Sequence, residues 1–398
     1  MIRVEEASEI VGTHAHLISQ EDCAIDRICG RVLREGIYAD RDFPPFDRVA
    51  MDGIAIQFSA FQEGLRLFSI EGQVPAGKQP IALQHRQGCL EVATGAVLPE
   101  GTDTVVPYEQ IQIEAGIAEI KIESVGFRQN IHHRGSDQKN GTALLEPGRL
   151  LGPAELAILA TVGKTSVSVS RSLRIAFVAT GDELVNIEAT PLPWQIRMSN
   201  AYALKSLLET HPVDVDTFHC LDDFNVIKNL VKKILEEYDV LILSGGVSAG
   251  KRDFIPEVLQ TSGVEILFHK VTQRPGKPLL FGQVPSGAAV FALPGNPVSA
   301  FMCTCKYLIP WIEKSLGLER QLQEWAFLQE SLEFKPDLTW FVPVRIENQL
   351  GVLRAFPKPG HGSGDLANLE AADGFLELPR GRDFYSTEEP FRLIRYRK

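Results

Sequence analysis

The chain has 398 residues, 44% of them hydrophobic, and a formal net charge of −11 from 51 acidic and 40 basic side chains. That balance speaks against nucleic acid as the main partner, because phosphate backbones need a basic footprint; a small anion held by a local basic loop is still allowed. The opening "MIRVEEASEIVG" has no basic stretch leading into an apolar core. No apolar run approaches the roughly 20 residues of a membrane helix. The expectation is a cytoplasmic protein of two to four domains, at roughly 100–200 residues each.

Residues 1–39 read as largely helical, starting with "VEEASEIVGTHAHLI". From Asp40 to Ile131 the chain turns to short alternating runs broken by Gly and Pro ("LRLFSIEG", "GCLEVATG", "DTVVPYEQIQIEAG", "AEIKIESV"), which predict a small β-rich domain. "LLGPAELAILATVG" then predicts a helix with Pro153 in its first turn. The β-rich part is therefore expected as an insertion (40–131) in a discontinuous N-terminal domain (1–39 and 132–171). From Ser172 strands and helices alternate. "LRIAFVAT", "VDVDTFHC", "DVLILS" and "AAVFAL" read as strands; "SNAYALKSLLETH", "FNVIKNLVKKILEEY" and "DFIPEVLQTSG" read as helices, the first capped by Ser199 or Asn200. Such alternation predicts a doubly wound, mostly parallel α/β domain over 172–320, with ligands beyond the carboxyl ends of its strands. Residues 321–398 return to short strands and predict a small C-terminal β-barrel domain. The fold class is α/β multidomain.

Cys23, Cys29, Cys89, Cys220, Cys303 and Cys305 contain no C-x-x-C pair, and Cys303 and Cys305 fall two apart on a predicted helix. They read as reduced structural thiols. His132–His133 read as polar surface.

"LSGGVSAGKRDF" satisfies two motifs at once. Gly245, Gly250 and Lys251 match G-x-x-x-x-G-K, yet Arg252 stands where a phosphate loop needs Ser or Thr for Mg²⁺. Gly246, Ser248 and Gly250 match G-x-S-x-G, yet Gly245–Gly246 end the strand before the serine. What remains is a Gly-rich turn at a strand end, with Asp253 just beyond as either helix cap or acid. Carboxylates recur at the neighbouring strand ends: Asp182, Glu183, Asp222 and Asp223. Acids converging on one edge call for a hard cation such as Mg²⁺. Lys270, Arg274 and Lys277 in "HKVTQRPGKPLLFG" supply cations, and "ALPGNPVSA" a rigid turn with Asn296 placed to cap and Pro297 at the first helical position. These patterns reach an enzyme that handles a phosphorylated or oxyanionic substrate with Mg²⁺.

Six segments, "FDRVAMDGIAI", "ATGAVLPEGTDTVVPYE", "ATGDEL", "LSGGVSAGKRDF", "RPGKPLLFG" and "LPGNPVSA", occur in an order that resembles the molybdopterin molybdenumtransferases, the bacterial MoeA proteins and the E domain of gephyrin. The resemblance spans nearly the whole chain. It implies a four-domain subunit, usually a homodimer, that takes adenylylated molybdopterin and molybdate, releases AMP and needs Mg²⁺. It also implies contact with the molybdopterin adenylyltransferase. Carried over residue by residue, Asp182, Glu183, Asp222 and Asp253 resemble the metal-binding or reacting acids. Lys270, Arg274 and Lys277 resemble the phosphate- or molybdate-receiving loop, with Gly245, Gly246, Ser248, Pro294, Asn296 and Pro297 as cofactor-binding turns. Asp52, Thr94 and Asp137 resemble functional positions of the second domain; Arg345 and Ser363 resemble ligand contacts of the last. Arg274 stands where lysine is common, Ile54 where tyrosine is, and His132 where arginine is; Met198 replaces an acid or amide. These departures leave a diverged paralogue, acting as a scaffold or on another phosphoanhydride, as the alternative.

Overall fold

A computed structural model describes residues 1–246, 254–285, 287–319 and 322–397. The chain forms two compact units: Met1–Glu35 with Pro147–Leu156 and Thr165–Lys398, and Gly36–Glu146 with Ala157–Lys164. The expected domain junction at 320–321 lies outside the described residues.

The first unit is built on a six-stranded sheet. Its strands are β1 (Leu173–Thr180), β2 (Val213–Cys220), β3 (Val240–Ser244), β4 (Glu265–His269), β5 (Leu280–Gln283) and β6 (Ala289–Leu293), in the order β2-β1-β3-β6-β5-β4. Pairings among β2, β1, β3 and β6 are parallel, and β5 runs against both neighbours. Near-continuous apolar strands such as "VLILS" are what a sheet covered on both faces requires. One face carries Phe177, Ile242 and Phe291 into a core with Leu204 and Trp311; the other carries Val178, Leu243 and Val290 against Ile227 and Val258. The covering helices are α1 (Ser199–Leu208), α2 (Phe224–Glu237), α3 (Ile255–Thr261) and α4 (Pro297–Cys303).

The N-terminal segment departs from expectation. Only Val4–Thr13 forms an α-helix, burying Val4, Ala7 and Val11 at helical spacing. Gln20–Ala24 is a strand, paired antiparallel with Ser166–Ser170. A partner nearly 150 residues away decides that conformation, and local pattern cannot reveal it.

The end of the chain is a closed barrel: β7 (Glu324–Leu328), β8 (Thr339–Gln349), β9 (Val352–Pro357), β10 (Gly374–Leu378) and β11 (Pro390–Arg395) join as β8-β9-β7-β11-β10, with β8 also pairing β10. Alternation sorts its residues. Val342, Val344, Leu376 and Leu378 fill the barrel, whereas Phe341 and Phe375 pack outward into the α/β core.

The second unit has its own six-stranded sheet, in the order Thr104–Pro107, Gly53–Ile56, Gly88–Val92, Leu67–Val74, Ile117–Ile120, Ile111–Glu114. Ile54 and Ile56 face one core, and Ala55 between them the other.

Candidate functional site

Parallel strands deliver their carboxyl ends to one edge of the α/β sheet, and the turns there carry the predicted residues. The β1 turn holds Gly181, Asp182 and Glu183, with both acids exposed. Asp182 Oδ1 accepts the backbone N–H of Asp222, 3.1 Å away on the β2 turn. Next to it, His219 Nε2 donates to the Gly181 carbonyl at 3.2 Å, which requires the proton on that nitrogen. Asp223 Oδ1 caps α2 by accepting from Asn225 and Val226 N–H.

Gly245 follows β3 at φ +107°, and a Cβ there would sit 2.5 Å from the Thr180 carbonyl oxygen. No side chain fits, so backbone and ligand can approach closely. Asn200 ties the neighbouring turns together: its Nδ2 donates to Ser244 Oγ at 3.2 Å and to the Gly295 carbonyl at 2.8 Å. α1 accordingly takes Met198, not Ser199 or Asn200, as its cap residue, with no side-chain cap bond.

Asn296 occupies the cap position of α4 with Pro297 at the first turn, but its side chain makes no cap bond. It donates to Ser363 Oγ at 2.8 Å instead, and Val298 N–H donates to the Ser363 carbonyl at 3.1 Å. Ser363, from the segment between β9 and β10, is thereby joined to the strand-end turns. Pro294 beside them is buried. Arg345 is not brought there by any bond: it pairs with Glu347 on its own strand at 2.7 Å and lies over the Phe356 ring. Ser248 and Asp253 lie outside the described residues, and α3 starts at Ile255 with Phe254 before it.

The basic loop follows β4, whose direction puts its end at the same edge. Val271 N–H donates to the Lys277 carbonyl at 2.9 Å and closes the loop. Gln273–Arg274 forms a two-residue strand parallel to β8 of the barrel. Arg274 and Lys277 are exposed, and the Arg274 guanidinium lies over Phe334, 5.7 Å from the ring centre. Acids after β1 and β2 and cations after β4 therefore occupy opposite ends of one edge. Four strand spacings from β1 to β4 amount to about 19 Å.

In the second unit, Asp52 Oδ1 accepts both the N–H (2.6 Å) and the hydroxyl (2.8 Å) of Thr94. These two bonds hold its carboxyl below the ordinary aspartate range. Asp137 Oδ1 accepts from His132 Nε2 at 2.7 Å, while Arg48 donates to His132 Nδ1 at 2.9 Å. His132 is thus a wired link and not plain polar surface.

Sequence reasoning missed Asn200, His219 and Arg48. Asn200 looked like a cap, and His219 and Arg48 sit on strands whose facing residues come from distant segments. Among the described residues, no group of three or more His, Cys, Asp or Glu is close enough to hold a metal.

Three family profiles match in order: "MoeA N-terminal region (domain I and II)" over residues 2–163, "Probable molybdopterin binding domain" over 176–314 and "MoeA C-terminal region (domain IV)" over 326–394. A molybdopterin molybdenumtransferase of Synechocystis sp. is 38% identical, covering 98% of this chain and 99% of its own. One of Nostoc sp. is 32% identical, covering 93% and 88%. A crystal structure of a molybdopterin biosynthesis MoeA protein from Pyrococcus horikosii superposes with a TM-score of 0.86 at 27% identity over 100% of both chains.

Proposed function

Because the chain belongs to the MoeA family, and so to the molybdenum-transferring enzymes of molybdenum cofactor biosynthesis, we propose that it inserts molybdenum from molybdate into adenylylated molybdopterin. AMP is released and Mg²⁺ is required. The observation that carries this reading is the charge layout of the sheet edge, with acids after β1 and β2 and a basic loop after β4. Glycine and proline turns lie between them. An extended substrate with a phosphoanhydride and a second anionic group suits such an edge better than a compact one.

In this reading Lys270, Arg274 and Lys277 receive the phosphate or molybdate. Gly245 and Gly246 let the backbone approach the ligand, and Ser248 is a further cofactor-binding residue. The Pro294–Asn296–Pro297 turn and Ser363 shape the wall, Arg345 is a further ligand contact, and Asp52, Thr94 and Asp137 are further functional positions. The donor chemistry suits Mg²⁺, which commonly takes one or two carboxylates plus substrate phosphate oxygens. Asp182, Glu183, Asp222 and Asp253 are the residues that would hold it. When bound, the ion offsets negative charge at the phosphoanhydride. His219, by holding the Gly181 carbonyl, fixes where the two acids of that turn start. The same reading makes the protein a cytoplasmic homodimer through residues 1–39 and 132–171, with an inserted domain (40–131), a molybdopterin-binding domain (172–320) and a C-terminal domain (321–398). It also makes the molybdopterin adenylyltransferase a partner.

The test is AMP release from adenylylated molybdopterin, anaerobically with Mg²⁺, with and without molybdate, for wild type and Asp222→Asn. Molybdate-dependent release that collapses in the folded variant supports the proposal. A folded wild type that releases no AMP overturns it.

A further inference from the structure

Gln273 is 1% exposed, an unusual place for an amide on a loop that otherwise presents cations. Both ends of its side chain are used. Nε2 donates to the Gly276 carbonyl at 3.0 Å and approaches Cys303 Sγ at 3.5 Å; Oε1 accepts from the Tyr307 hydroxyl at 2.5 Å. The Gly276 carbonyl can only accept, so the amide orientation is determined and the tyrosine must donate. Tyr307 is itself 1% exposed, and burial pushes its phenol well above the ordinary value, which keeps the donor protonated.

The helix behind the loop is built for this contact. Between α4 and the helix Ile309–Ser315 the chain makes a π-turn, Thr304–Leu308. Such turns insert one extra residue and are frequent at functional sites. Cys303, just before that turn, and Tyr307, within it, both reach the loop. Lys306 between them pairs with Glu377 of the barrel at 2.8 Å. Gly276 has φ +86°, and a Cβ on it would lie 2.5 Å from Cys303 Sγ, so loop and helix touch without slack. Across a trans peptide the N–H points opposite to the carbonyl. Binding the Gly276 carbonyl inward therefore turns the Lys277 N–H away from the buried amide. Among the described residues that N–H donates to no protein acceptor.

We infer that Tyr307 and Gln273 are positioning residues that set the basic loop from behind, so that the Lys277 N–H joins the Arg274 and Lys277 side chains in holding an oxyanion. This rests on the reading that the loop receives an anion. The ligand class is a tetrahedral oxyanion such as molybdate, or the phosphate of the nucleotide-bearing substrate. The π-turn also links barrel and loop, since one helix turn contacts both.

The experiment is calorimetric titration of molybdate, and separately of AMP, into the full chain with Mg²⁺. Wild type is compared with Lys277→Ala, Tyr307→Phe, Gln273→Glu and a Val258→Ala control on the opposite face of the sheet, with thermal melting of each. Tyr307→Phe and Gln273→Glu are each expected to raise the Kd for one of the two anions about tenfold, on the order of one buried hydrogen bond. The carboxylate introduced by Gln273→Glu could still accept from Tyr307 but could not donate to the Gly276 carbonyl. Val258→Ala lowers the melting temperature without moving either Kd. Should Lys277→Ala leave both affinities unchanged, or wild type bind neither anion, the anion reading of the loop fails. Should Lys277→Ala weaken binding while Tyr307→Phe and Gln273→Glu behave like Val258→Ala, the positioning role is overturned.

Discussion

Asp239 and Asp182 sit at opposite edges of the same sheet and are held in opposite ways. Asp239, just before β3, takes a two-pronged bond from Arg171 at 2.6 and 2.7 Å and another from the Arg174 N–H at 2.8 Å. Its backbone carbonyl also anchors Ala289 of β6. Asp182, just after β1, is exposed, and the bond drawn to it comes from one backbone N–H. The first acid is saturated by protein; the second keeps lone pairs for something else. Residue type does not separate a structural acid from a reacting one. The share of its hydrogen-bonding capacity already used does.

The largest break in that comparison is expected from Asp182→Asn. Turnover should fall by about 10²–10³-fold, the scale of losing a charged group at a reacting centre, while the urea midpoint barely moves. A variant that loses stability and not turnover would reverse the assignment. Gly245→Ala should come next. Its Cβ meets backbone at 2.5 Å with a positive φ, so about 2–4 kcal/mol of stability should be lost in urea unfolding.

Asp239→Asn should cost about 1–3 kcal/mol at neutral pH and leave turnover intact. Burial alone would raise this carboxyl, but the Arg171 pair and the Arg174 N–H outweigh it and leave it below the ordinary range. A depressed carboxyl contributes its full stability above the unfolded-state value of about 4 and loses it as pH falls through the folded-state value. The gap between wild type and variant should therefore close on acidification below that range, and urea titrations across pH would show it. The smallest effect should be Gly295→Ala, whose Cβ would meet only Gly245 Cα at 3.8 Å. A shift within about 0.5 kcal/mol is expected from denaturation.

The α/β alternation was legible because its central strands are apolar on both faces and its helices keep period 3.6, as in "FNVIKNLVKKILEE". Glycines at the strand ends were legible for the same reason, since they punctuate strong patterns. Asn200 was misread as a cap, and Asn296 holds the cap position without the side-chain cap bond. An amide beside a helix start serves the cap or a neighbouring turn equally well, and only the folded turns decide. The strand at Gln20–Ala24 and the buried Gln273 were hidden because their partners, Ser166–Ser170 and Tyr307, are distant in sequence. Arg345 shows the converse: a position suggested by resemblance gives a donor to Glu347 within its own strand.

Of the six thiols, Cys23, Cys89, Cys220, Cys303 and Cys305 are buried, and Cys29 alone is exposed. Burial raises the Cys89 thiol to about 12 and pushes those of Cys303 and Cys305 higher still, suppressing the thiolate that alkylating reagents attack. A maleimide dye at neutral pH should thus give one adduct per native chain by intact mass. The wild-type sequence already carries a single attachment point, at Cys29, away from the strand-end turns in sequence, for fluorescence studies of ligand binding.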